Sequence, residues 1–439
     1  MDAALANALQ AQIDDACRRG GLCAASLALH TDGQVHAFAA GLANAREDIS
    51  ANPDTLFHIG SVTKAITAEL VWRQILEGRL SADTPVIDAA PELAHIATLA
   101  DPRLTIGHLL SHTGGLDGDI VFDAGRGPDV LQRFLARIAA IGSLAPPGVR
   151  FSYANVGYNI LARILERRVE TPFEDLLRTL LHETHGLTQV AILPEEKLRH
   201  RTAVLFTAEG RGWSPVAFGP HSNIGSGTVL AMSMPDLARW GAALASSSDI
   251  VGQMTRPAIA LPYSHRYAGW GFGVTLFDGM GQTVFGHDGG TAGTTTFLRV
   301  APRSGATWAF SATGPEALAV FRALDGAIRA DLGLSPAASP KTQVAPADLA
   351  PYEGDYLRHG MSLSVRRANA GGLVLSTGGD LPILDGLQLR PLSSEVFEAE
   401  IASMGGAKIW LSFHEFDPDG RPRLLYALER LARRAEAMP

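Results

Sequence analysis

Only two cysteines, Cys17 and Cys23, occur in the 439 residues, so the chain offers no disulfide framework and reads as carrying reduced thiols. It has no stretch of eighteen apolar residues, which leaves no candidate for a membrane-spanning helix. No run of Lys or Arg offers a phosphate track, and the net charge is −8, which argues against nucleic acid as a partner. The N-terminal segment lacks a basic region followed by an apolar one, because Asp2, Gln10, Asp14 and Asp15 interrupt it; a cytoplasmic location is expected. Fourteen histidines show no His-Glu-x-x-His or His-x-His spacing, so no metal site is expected. His182 and His185 stand three apart and His108 and His112 four apart, the latter pair near a helix end where a structural role is the simpler reading. There is no Walker A sequence and no Gly-x-Ser-x-Gly elbow; the segment 289–293 has only its outline, with Thr291 at the centre. No cofactor is expected.

The rest of the composition is that of an ordinary globular protein, 46% hydrophobic and 19% charged, and long enough for two or three units with ample core. Residues 3–19 set Leu5, Leu9, Ile13 and Ala16 on one helical face. Strand-like runs at 24–31 and 35–41 flank Asp32-Gly33, a strong hairpin signal. From about 80 to 265 the pattern is mostly helical, at 106–111, 128–141, 155–169, 173–182 and 234–246. Strand patterns return at 270–277, 282–287, 294–300 and 306–312, with a helix over 315–332. The fold class expected is α+β: an antiparallel sheet built from both ends of residues 1–334, flanked by helices and interrupted by a helical block. Residues 335–351, with four prolines and no glycine, read as a linker. Beyond it, 352–439 shows short alternating runs at 361–367, 372–377, 382–392, 395–401, 408–416 and 422–428, the pattern of a small all-β barrel or sandwich.

Three short constellations carry chemistry. Ser61 and Lys64 lie three residues apart on one helix face, so a hydroxyl and an amine can meet. A serine attacks only when a base takes its proton, and Lys64 can be that base if burial or nearby positive charge holds it unprotonated. The pair by itself also reads as a plain solvated helix start. Tyr153-Ala154-Asn155 sits in a loop entering the 155–169 helix, where Asn155 can cap the helix or bond a carbonyl, and the Tyr153 ring can simply be buried. His287-Asp288-Gly289-Gly290 ends a strand-like run, and its glycines let a substrate lie against backbone N–H groups.

In this order and spacing the three resemble Ser-x-x-Lys, Tyr-x-Asn and His-x-Gly of the serine β-lactamase and penicillin-binding-protein-like superfamily, in its class C-type members. Phe57-His58-Ile59-Gly60, Leu109-Leu110-Ser111-His112-Thr113-Gly114-Gly115-Leu116, Pro235-Asp236-Leu237-Ala238-Arg239-Trp240 and Gly269-Trp270-Gly271-Phe272-Gly273 look like further family segments, and the resemblance covers roughly 5–333. It implies Ser61 as nucleophile, Lys64 as proton acceptor, Tyr153 as acid or base toward the leaving group, and Asn155 as the group that orients the substrate carbonyl. The N–H groups of Ser61 and Gly290 would form the oxyanion hole beside Gly289, worth roughly 3–4 kcal/mol per donor. His287 stands where many relatives have the lysine of Lys-Thr-Gly, which removes a permanent positive charge and argues against efficient recognition of a β-lactam carboxylate. Tyr352-Glu353-Gly354-Asp355-Tyr356 resembles the opening of the lipocalin-like domain that follows the hydrolase in some relatives, read here first as a stabilising appendage and second as a lid or oligomer contact.

The activity implied is a serine hydrolase or acyltransferase working through an acyl-enzyme on peptides, amides or esters, D-amino-acid-containing ones included. Relatives with this layout comprise D-amino-acid-specific peptidases and amidases, esterases, and penicillin-binding-protein-type thioesterases that close a carrier-bound peptidyl thioester into a ring. The Leu116-Asp117-Gly118-Asp119 loop and the trailing β-domain suit the last group; a silent sensor of peptidoglycan-like ligands is the reading from another class. Trp213, in a Gly-rich loop, is the tryptophan expected to line a cleft, while Trp240, Trp270 and Trp308 are expected in the core; Asp117–Asp119 read first as solvated loop charges and second, with the rest of 117–128, as a border of the site.

Overall fold

A computed structural model describes residues 1–209, 212–217, 219–261, 263–264, 267–277, 284–334, 348–368, 371–379, 384–401 and 407–435. Most of the expected linker (335–347) lies outside them, as do positions 282–283 and 382–383 of two expected strands. The longer helices are α1 (Ala3–Arg18), α2 (Thr63–Leu76), α3 (Asn155–Val169), α4 (Met234–Ser246) and α5 (Ala317–Asp331). Asp32 and Gly33 take φ of 51° and 74°, the left-handed turn their residue types favour, and join β1 (Ala24–Thr31) to β2 (Gln34–Asn44). With β3 (Ile49–Ser50), β4 (Ile259–Ala260), β5 (Gly269–Trp270), β6 (Thr275–Leu276), β7 (Phe285–Thr291), β8 (Thr294–Ala301) and β9 (Ala306–Thr313) they form a nine-stranded antiparallel sheet ordered β4-β5-β6-β7-β8-β9-β1-β2-β3. Strands from both ends of this unit thus meet at β9 and β1, as expected.

Alternation along β1 assigns the two faces. Ala24 and Ala28 enter the cluster that α2, α3 and α4 fill, whereas Ala25, Leu27 and Leu29 pack with Leu9 and Ile13 of α1 and Phe321 and Leu324 of α5. The small residues on the first face let α4 settle on the sheet. Two helical expectations shorten: the 128–141 run is helical only over Val130–Ala136, because Gly142–Ser143 leaves to pair with Leu116–Asp117. The α-helix expected over 173–182 ends at Arg178 and widens into a π turn over Thr179–Thr184.

The C-terminal unit is a closed eight-stranded barrel of β10 (Gly354–Arg358), β11 (Met361–Arg367), β12 (Leu373–Gly379), β13 (Leu387–Pro391), β14 (Val396–Ile401), β15 (Ala407–Phe416), β16 (Pro422–Ala427) and β17 (Arg430–Arg434). Tyr356, Leu363, Leu375, Phe397, Leu411 and Phe413 fill it. The strand β17 was not anticipated: Arg430, Arg433 and Arg434 break its apolar alternation, yet closure against β10 requires it. The barrel is no detached appendage, since its Leu424, Tyr426 and Leu431 share one apolar cluster with Phe151, Tyr153 and Trp270. Among the described residues no helix is long and apolar enough to cross a membrane, and no three His, Cys, Asp or Glu side chains converge as metal ligands.

Candidate active site

Ser61 lies in a 3-10 turn, Gly60–Val62, that runs straight into α2. Gly60 has a φ of 54°, and a Cβ built on it would stand 2.7 Å from Gly290 N. Gly289 meets the same limit from the other side, where a Cβ would lie 2.0 Å from Ile59 O and 3.0 Å from Ser61 N. Two glycines therefore let β7 press main chain to main chain against the serine's turn, gathering the Ser61 and Gly290 amides in one corner. His287–Gly290 sits inside β7, further into the strand than its glycines suggest.

Lys64 is wholly buried, with Nζ 2.9 Å from Ser61 Oγ and donating to Ser226 O at 2.6 Å. That carbonyl is itself held in place, because the Ser226 N–H donates to Asn159 Oδ1 of α3 at 3.0 Å. Burial, and next the charge of Arg430, push the Lys64 amine well below its ordinary range, against the pull of Asp119 and Glu429. Tyr153 shares a hydrogen bond with Ser61, and burial drives its phenol upward. Its ring centre is 4.9 Å from Lys64 Nζ. Both groups that touch the serine are thus driven toward their neutral forms.

Behind Tyr153 stands His112, a non-glycine residue at φ 54°, stacked 4.1 Å from the tyrosine ring. Its Nδ1 accepts the Ala154 N–H at 3.1 Å, which fixes both the tautomer and the course of the Tyr153–Asn155 segment. His108 closes a capping box with Thr105. Asn155 is the first residue of α3 and not its cap; its Nδ2 donates to Asp119 Oδ1 at 2.8 Å. His287 is buried, with Nδ1 2.6 Å from Asp288 O and Nε2 without a hydrogen-bond partner among the described residues. Burial and Lys64 hold its pKa down to about 3, so the imidazole is neutral and Nε2 is available to a substrate. Asp288 pairs with Arg299 at 2.5 Å, and Arg299 lies 3.6 Å from the Phe277 ring centre, which braces the strand behind the histidine.

Ser61, Tyr153, Asn155, His287, Gly289 and Gly290 all line one cavity of about 720 Å³, with Lys64 just beneath it. Trp270 lines it too, whereas Trp213 packs against Gly314 at the rim, so the tryptophan in the cleft is not the one the loop composition suggested. The cavity also takes in Glu429 and Arg430 from the barrel, which reading the sequence missed. The turn between β16 and β17 has Leu428 at φ 53° and Glu429 at φ 68°. Hairpins normally spend Asn-Gly there; two ordinary residues cost about 1–3 kcal/mol each. The turn is pinned to the site: Tyr153 N–H donates to Glu429 O at 3.0 Å and the Tyr267 hydroxyl to Glu429 Oε1 at 2.6 Å. Arg430 ion-pairs with Asp119 and holds its guanidinium carbon 4.8 Å from the Tyr153 ring centre. Asp117 accepts the His359 N–H at 2.9 and 2.8 Å. Asp117 and Asp119, expected in solvent, therefore bind the barrel.

The beta-lactamase family model matches residues 5–332, most of the chain. The chain belongs to the beta-lactamase family. Penicillin-binding protein 4 of Amycolatopsis lactamdurans is 34% identical to this beta-lactamase-family chain over 359 residues, spanning 76% of it and 93% of the relative. Esterase EstB of Burkholderia gladioli is 30% identical over 212 residues, 45% of this chain and 54% of its own. Among solved structures, SurE matches with a TM-score of 0.79 at 26% identity over 98% of this chain and 99% of its own, so the likeness runs through the barrel. The D-amino acid amidase of Ochrobactrum anthropi SV3, at 20% identity and TM-score 0.62 over 75% of this chain and 99% of its own, shares the fold. Superfamily and fold are those the motifs implied, and membership makes the protein a serine hydrolase of this type.

Proposed function

We propose that the protein transfers acyl groups through a covalent ester on Ser61, taking small peptide-like amides or esters as donors. The observation that carries this is the 2.9 Å approach of Ser61 Oγ to a lysine amine that burial holds below its ordinary range. In the first step Oγ forms a bond to the substrate carbonyl carbon and its proton passes to Lys64. The opposite shifts of the two neighbours favour Lys64 over Tyr153 for this role, since a depressed amine keeps a free lone pair for the proton, whereas a phenol driven upward stays protonated and has no anion to take it. The oxyanion faces the N–H groups of Ser61 and Gly290. The proton then reaches the leaving group through Tyr153 as the scissile bond breaks, and Asn155 and His287 Nε2 hold the substrate. Water or an amine attacks the acyl-enzyme in turn, loses its proton to the same pair, and frees Ser61. D-configured, amino-acid-like substrates are the first choice because SurE has been solved with D-Leu and shares this chain's full length.

A second reading, in which an amine of the same peptidyl chain attacks and a ring forms, is favoured by the barrel turn, whose Glu429 and Arg430 add a wall to the cavity beside Tyr153. A fluorophosphonate probe followed by mass spectrometry tests the nucleophile: the wild type should be labelled and Ser61→Ala should not. An unlabelled wild type would move the protein to the ligand-sensor reading. A peptidyl thioester then separates the two acceptors, since a ring weighs one water less than the linear acid.

A further inference from the structure

Arg430 enters the site from the far end of the chain. The two left-handed residues before it, Leu428 and Glu429, are what aim it there. Its Nη1 donates back to Leu428 O at 2.9 Å, and its Nη2 donates to Asp119 Oδ1 at 3.2 Å, the carboxylate oxygen that also accepts from Asn155. The guanidinium carbon stands 4.8 Å from the Tyr153 ring centre and Lys64 Nζ stands 4.9 Å from the same centre, so the two cannot be more than 9.7 Å apart. The lysine that many relatives carry at the start of β7's motif is His287 here, buried and neutral, so that source of positive field is missing.

We propose that Arg430 is a positioning residue of the Ser61 site: the barrel inserts its guanidinium as the positive field in which Lys64 works as a base. The proposal rests on Lys64 being that base, and extends it across the two units of the chain. The groups that face Lys64 are Ser61 on its own turn, Tyr153 just before α3 and Tyr158 in its first turn, His112 on the loop after 106–110, His287 on β7, Asp119, and Glu429 and Arg430 on the barrel turn. Both histidines are held neutral by burial, which leaves Arg430 as the cation of this set and Asp119 and Glu429 as its opposing charges. The ion pair with Asp119 fixes the guanidinium at the cavity wall. Docking of the barrel is thereby tied to the basicity of a lysine on α2.

The chain has four lysines, which makes Lys64 directly observable. The full-length protein, labelled with ¹³C at the lysine side chains, is titrated by NMR, with Lys64→Met identifying the resonance. In Arg430→Gln the Lys64 midpoint should rise by about one pH unit, the size a unit charge at this range gives with an effective dielectric of about 20. Arg430→Lys should bring it back toward the wild-type value. Asp119→Asn should move it the opposite way, downward, since a carboxylate that favours the protonated amine is then gone; general loosening of the site cannot produce shifts of opposite sign. Coincident Lys64 midpoints in the wild type and Arg430→Gln, or the same direction of shift in Arg430→Gln and Asp119→Asn, overturns the proposal. No substrate is involved, so the result stands apart from the labelling of Ser61, whose failure would speak against the acyl-enzyme alone.

Discussion

Burial acts on Lys64 and Tyr153 with one physical effect and two signs. Removing water disfavours whichever form is charged, so the amine is pushed down and the phenol up, and Ser61 meets two neutral partners with different appetites for its proton. Tyr153→Phe should therefore lower turnover by about 10²–10⁴-fold while leaving acylation chemistry at Ser61 detectable by mass spectrometry; a loss under threefold would remove the acid role. Gly60→Ala tests the main-chain contact: at φ 54° and 2.7 Å from Gly290 N, the added methyl must part β7 from the serine's turn. Denaturant unfolding should show a loss of roughly 1–3 kcal/mol, together with lost probe labelling. At this scale the sequence was legible where the chemistry is local. Ser61 and Lys64 share a helical turn, and Tyr153 and Asn155 share a loop. The partner of Asp119 is not legible in the sequence, because Arg430 lies 311 residues away and no spacing rule connects them.

Elements were readable in proportion to how cleanly their side chains alternate. The strand β1, the Asp32-Gly33 turn and α3 came out at their observed positions, and β2 runs three residues past its expected end, because Asp-Gly and a 3.6-residue apolar stripe are strong, local signals. The strand β17 did not, since arginines occupy positions that the neighbouring unit, rather than water, covers: Arg433 Nη2 donates to Ser143 O and Leu144 O at 3.2 Å each. The same docking changes what removal of the barrel should do. A chain ending at residue 334 uncovers Phe151 and Trp270 and strands Asp119 without its cation. Such a chain should aggregate on gel filtration or unfold at clearly lower temperature than the full-length protein. A monodisperse product with unchanged melting would return the barrel to the status of an appendage.

For the molecule as a whole, the neutral buried imidazoles set a stability profile against pH. His58 and His287 are held down to about 3 and His414 to about 4, in each case by burial first. The unfolded chain takes protons at these histidines near pH 6.5 while the folded chain refuses them, so their stability contribution is complete above about 6.5 and falls as pH drops toward the folded values. Each costs about 1.4 kcal/mol per pH unit over that window, so calorimetry should find a markedly lower melting temperature at pH 5 than at pH 7. A flat profile would show these rings gaining protons in the fold. The sheet carries a related arrangement in time. Ser61 leaves the ribosome about 370 residues before the turn whose Glu429 carbonyl receives the Tyr153 N–H. At an elongation rate of about 5–20 residues per second, that interval is roughly 20–70 s. During it the nascent chain holds its serine, lysine and tyrosine with the wall that Glu429 and Arg430 give the cavity still unmade.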